Sequence, residues 1–118
     1  MTEQMTTKEE SIWGMGAHLA ALSGILIVPG LVLGPLAIWI LKRHKSSFVE
    51  ANAREAMNFQ ITILVIAFVM VLLSRFSSLF MIQAMIVGII GIGYAIYAAL
   101  QVRKGKQYRY PFAIRLIK

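Results

Sequence analysis

Three stretches, Ser11 to Leu41, Ala56 to Ser74 and Phe76 to Val102, contain no Asp, Glu, Lys or Arg. A bilayer core ~30 Å thick is spanned by about 20 apolar residues in a helix, and the last two stretches meet that requirement with Val, Ile, Leu, Met and Phe on every face. The pattern predicts an all-α integral membrane protein. With 118 residues, 58% of them hydrophobic, the chain has little length left for a separate soluble module. The opening MTEQMTTKEE is polar and slightly acidic. It lacks the positive n-region of a cleaved signal peptide, so the first apolar stretch is expected to remain in the mature chain.

The first stretch is too long for one ordinary span and short for two. Pro29-Gly30 and Gly34-Pro35 interrupt it, and a proline inside a helix removes a donor and clashes with the preceding turn. The expected reading is a helix over about 12–28, a turn from Pro29 to Gly34, and a short helix over about 35–43 begun by proline at its first position. Ser46 and Ser47 offer a cap for a long helix over about 48–74, with Glu50 in its first turn. A last helix follows over about 79–103. The expected fold is thus a compact four-helix bundle with a short, Pro/Gly-delimited second helix, between a polar tail over 1–10 and a basic-aromatic interfacial tail over 105–118.

Basic residues set the expected orientation. Lys42, Arg43, Lys45 and Arg54 cluster around the junction of the second and third helices, and Arg103, Lys104, Lys106, Arg109, Arg115 and Lys118 end or follow the fourth, whereas Arg75 stands alone in the turn between the last two spans. The positive-inside rule puts the loop and the C-terminal tail on the cytoplasmic side, and a hairpin in the first stretch puts the N-terminus there as well. The net charge of +7 is read as topology and lipid-headgroup contact; no base-stacking aromatic pattern points to nucleic acid.

Polar residues inside the apolar stretches are the candidate site. His18 lies among alanines and leucines, as a proton relay or ligand contact, or as a neutral imidazole bonded to a neighbouring helix. Glu55, Asn58 and Thr62 recur at i, i+3, i+7 on one helix face, and Gln60 projects away from it. Buried amides need partners, so this cluster is either an interhelical hydrogen-bond set or a polar cavity open to the cytoplasm. Small residues form two stripes, Gly14, Ala17, Ala21, Gly24 and Gly88, Gly91, Ala95, Ala98, which face each other or a second protomer. Trp13, Trp39, Tyr108 and Tyr110, with Lys42, Arg43, Lys45, Arg54, Arg103, Lys104, Arg109 and Arg115, are assigned to the lipid headgroup interface. The chain has no aspartate, no cysteine and two histidines. It has no GxSxG, no HExxH and no phosphate-binding loop, so neither an enzyme, nor a metal, nor a cofactor is expected.

Four ordered segments, His18-Leu19-Ala20-Ala21-Leu22 with Gly24, Gly34-Pro35-Leu36-Ala37-Ile38-Trp39-Ile40-Leu41-Lys42, Arg54 through Thr62, and Tyr108-Arg109-Tyr110-Pro111 with Ile114-Arg115, resemble a small bacterial multi-span membrane family. It is the family grouped with the chloroplast inner-envelope protein import component. That resemblance implies four membrane helices, both termini cytoplasmic, and the bacterial inner membrane as location. It also places Asn52 where many of those relatives carry His, a departure that argues against a metal or proton site there. The function expected is a non-enzymatic accessory or scaffold subunit packing with other membrane proteins or with itself, the alternative being an oligomeric pore or translocation component for a peptide or small solute.

Overall fold

A computed structural model describes residues 7–25, 27 and 29–117. Among the described residues there are four α-helices, α1 (Thr7–Leu19), α2 (Gly30–Lys42), α3 (Ser47–Leu73) and α4 (Leu79–Arg103), with a 3-10 segment, Ala20–Ile25, extending α1. No strand occurs among the described residues. α3 and α4 are long and apolar enough to cross a membrane. At ~1.5 Å per residue the 27 residues of α3 reach ~40 Å, about 10 Å beyond the hydrocarbon thickness. The excess is its polar beginning.

The first apolar stretch is a hairpin. α2 returns alongside α1, so that the Lys42 ammonium lies 4.3 Å from the Trp13 ring and Ile38 packs on Gly16. The second helix nevertheless begins at Gly30, not at the Pro35 start expected from the sequence, and α1 starts at Thr7 and gives way to 3-10 geometry at Ala20. Close approach is the reason. A Cβ on Gly34 would strike the Ala20 carbonyl, so Gly34 marks where two backbones touch instead of where a helix stops. Pro29 takes the cap position, and Pro35 is absorbed as a buried helix residue that leaves the Leu31 carbonyl without its usual donor.

α3 starts where the sequence signals it. Ser46 is extended (φ −159°, ψ 123°) and its Oγ accepts from Val49 N at 3.1 Å. The same hydroxyl donates to Glu10 of α1, joining the first turns of α1 and α3. α4 ends in a Schellman turn: Lys106 N–H bonds Gln101 O, Gly105 N–H bonds Val102 O, and Gly105 takes φ +87°, which only glycine adopts without strain. Residues 106–117 then run without helix back along α3.

The small-residue stripes are turned mainly into this bundle. Gly14 faces Val102, Phe48 and Asn52, while Gly91 packs on Ile63. Four helices share only the end of the molecule where α2 stops, α3 starts and α4 stops. Beyond the tip of the α1–α2 hairpin, α3 and α4 continue as a pair, with Phe68, Leu72, Phe76, Leu79, Ile82 and Ile86 exposed. Arg75 stands at that far end, opposite the remaining described cations of the loop and tail.

Candidate functional site

The polar residues of α3 are spent on the C-terminal tail. Asn52, Glu55, Asn58 and Thr62 lie along one buried face of that helix, and each receives a backbone N–H from the chain after Gly105. Tyr108 N donates to Asn52 Oδ1 at 3.4 Å, Tyr110 N to Glu55 Oε1 at 2.9 Å, Ile114 N to Thr62 Oγ1 at 2.8 Å and Ile117 N to Asn58 Oδ1 at 2.9 Å. Asn58 Nδ2 returns a bond to Ile117 O at 2.9 Å, so the amide closes a two-way pair with the main chain. Thr62 Oγ1 donates to Asn58 O, which orients its lone pairs toward Ile114. A helix face here does the work of a neighbouring strand: it satisfies an extended backbone that would otherwise lie unpaired on an apolar bundle.

His18 anchors the same tail from the other side. Asn52 Nδ2 donates to Phe48 O at 2.9 Å, so Asn52 Oδ1 is an acceptor and the 2.9 Å contact from His18 Nε2 is a donated N–H. In the neutral imidazole Nδ1 is then the lone-pair nitrogen, and it accepts the Tyr110 hydroxyl at 2.8 Å. Both ring nitrogens are engaged. Tyr110 stacks on Phe59 at 3.9 Å and 11°, with Tyr108 edge-on at 4.9 Å. Burial pushes the Tyr110 phenol well above its ordinary value, and the neighbouring Tyr108 and Glu55 push it the same way. Tyr108 is raised too, first by burial, then by Tyr94, Tyr97 and Glu55.

Arg115 completes the clasp. Its guanidinium pairs with Glu55 Oε1 and donates to the carbonyls of Tyr110 (3.1 Å) and Ala113 (2.8 Å). Glu55 is thereby bonded at once to the tail's backbone and to its cation. Such a partly buried pair is weak as net stabilisation but costly to break from one side.

The structure thus brings together His18, Glu55, Asn58 and Thr62, and leaves Gln60 apart from them. His18 bonds the Asn52 side chain of a neighbouring helix, as in one expected reading, whereas Glu55, Asn58 and Thr62 take the tail's main chain as partner, not another helix's side chains or open water. Tyr110 and Arg115, assigned to the headgroup interface from sequence, are drawn inward: Tyr110 is 2% exposed because His18 and Phe59 take both its polar and its apolar surface. The remaining interface residues stay at the shared end. Trp39 donates to Glu50 Oε2 at 2.9 Å and carries Arg43 over its ring at 4.3 Å, and Arg54 pairs with Glu50 at 3.3 Å. Sequence reasoning missed Asn52 as the hinge of the network. Its place at i−3 from Glu55, extending the Glu55, Asn58, Thr62 face by a turn, was the signal available. Among the described residues no group of three or more His, Cys, Asp or Glu could hold a metal ion.

Residues 9–117 match the MamF/MmsF family, described as the magnetosome magnetite crystal formation protein family. This overturns the resemblance to the family grouped with the chloroplast import component: the matched span holds all four motifs on which that resemblance rested. No curated protein and no solved structure matches the chain.

Proposed function

The chain belongs to the magnetosome magnetite crystal formation protein family, a family of bacterial membrane proteins, and from that premise we propose that it is a non-enzymatic accessory subunit of the magnetosome membrane. In this reading it serves magnetite crystal formation by packing with other membrane proteins. The observation that carries the proposal is the clasp. The acidic and amide groups of the α3 strip, which a catalyst or a polar pore would present to substrate, are bonded to the chain's own tail. What remains for partners is the apolar α3–α4 pair beyond the hairpin and the cationic end, two surfaces suited to membrane-embedded contact and to anionic headgroups. The cationic end is assigned to the cytoplasmic side, with both termini, and the Arg75 turn to the opposite side.

The test is purification from magnetite-forming cells in mild detergent, with mass spectrometry of co-eluting proteins and electron microscopy of crystals after deletion of the gene. Stoichiometric membrane-protein partners together with altered crystals support the accessory role. A homo-oligomer that alone carries ion or solute flux across liposomes would establish the pore reading instead.

A further inference from the structure

Gln60 is the one residue of the polar cluster that the tail leaves out, and it opens a different question. It is 1% exposed, and its Oε1 is buried with no hydrogen-bond partner. An amide carbonyl in that condition forfeits its hydration without replacement, which native bundles rarely tolerate. Gln60 also lines a cleft of about 330 Å³, walled by Ala21 of the 3-10 segment after α1, Leu31 of α2, Ile63 of α3, and Gly88 and Ile92 of α4. The cleft exists because the α1–α2 hairpin ends at this level: a Cβ on Gly88 would meet nothing within 4 Å. Apart from Gln60, the walls are almost wholly apolar.

Depth decides what can fill it. Gln60 and Gly88 lie near the middles of α3 and α4, which puts the cleft near the centre of the hydrocarbon. Acyl chains of ordinary phospholipids offer no donor there, and their headgroup donors stay at the interface. Water would find one polar partner where it needs two or more. A small lipophile with its own hydroxyl meets all the conditions, and the volume falls at the lower end of small-molecule sites, ~300–1,000 Å³. We propose that this cleft is a binding site for a membrane-soluble phenol or alcohol, whose apolar body lies against Ile63, Gly88 and Ile92 and whose O–H donates to Gln60 Oε1. The site lies apart from the tail clasp, and its existence does not depend on the accessory role.

The chain in phosphatidylcholine nanodiscs is titrated with 4-octylphenol and, separately, with its methyl ether 4-octylanisole, reading melting temperature and the amount of probe retained per chain by mass spectrometry. The phenol is expected to saturate at one per chain and to raise the melting temperature by several degrees, and the ether to do neither. Gln60→Leu should melt higher than the parent without ligand, because the orphan carbonyl is gone, and should lose the phenol response. Gly88→Leu, which fills the cleft from α4 and leaves Gln60 in place, should lose it as well. Equal responses to phenol and ether, or a phenol response intact in Gln60→Leu or in Gly88→Leu, would overturn the proposal. So would a chain that dimerises in the nanodisc and cross-links through a cysteine at position 88, since a second copy would then be the occupant.

Discussion

The Tyr110 hydroxyl hydrogen-bonds His18 Nδ1 across 92 positions of sequence, at 2.8 Å, and by doing so ties the chain's last segment to its first helix. Replacing Tyr110 with Phe keeps the stack on Phe59 and removes only the donor, leaving His18 Nδ1 buried and unpaired. A loss of about 1–3 kcal/mol is expected. Combined with His18→Leu, the second substitution should cost much less than it does alone; additive losses in thermal melts of the single and double variants would show that the two groups do not act as a unit.

Alkaline stability should report the same phenol. Burial raises the Tyr110 pKa in the folded chain above the 10.0 of an unfolded tyrosine. The folded state thus holds its proton more tightly than the unfolded state. The stabilisation is complete below pH about 10 and declines as pH climbs above it. Melting temperature should drop above that point, with a smaller drop in Tyr110→Phe. Phenolate absorbance that grows to include Tyr110 while the helices stay intact would contradict the assignment.

The tail clasp predicts a local effect from Asn58. Asn58→Leu removes both bonds to Ile117 and also leaves a leucine against main-chain polar groups, at about 1–2 kcal/mol. Trypsin should then cut at Arg109 or Arg115 faster than in the parent, while α3 and α4 remain resistant. An unchanged cleavage rate would mean that the tail is held by its aromatic residues alone.

Two glycines should behave oppositely. Gly34→Ala forces α2 away from the Ala20 carbonyl and is expected to lower the melting temperature sharply or to prevent accumulation, whereas Gly88→Ala meets open space and should be close to neutral. Similar behaviour of the two would sink the close-approach account of the hairpin.

Orientation is tested with cysteines at His44 and Ser78, both exposed, in preference to Ser46, which is buried in its capping role. In intact cells a membrane-impermeant thiol reagent should modify position 78 of chain that reaches the inner membrane and spare position 44. The reverse pattern would place the cationic end outside.

The match over residues 9–117 corrects the family suggested by the motifs. Small residues that let helices touch, a proline near a helix start and amides on a buried face are demanded by any short helical bundle in lipid.

Solvent and local chemistry determined much of this protein from sequence. Uncharged runs of membrane length produce α3 and α4 whatever surrounds them, because an unpaired peptide group in hydrocarbon leaves helix as the cheapest conformation. Ser46 caps α3 through its own neighbour Val49, a bond that closes within one turn. The sequence also marked His18, Glu55, Asn58, Gln60 and Thr62 as needing partners. Which partners they took was decided only by tertiary structure. Gly34 reads locally as a breaker and acts as a contact because Ala20 is there to touch. Tyr110 and Arg115 read locally as interfacial residues, yet Tyr110 is buried and Arg115 half-buried because Gly105 turns the chain back onto α3. Bonds from residue 18 to 110, or 58 to 117, carry no periodicity along the chain. They follow from where the Gly105 turn and the α1–α2 hairpin place distant segments, which is a property of the packed fold.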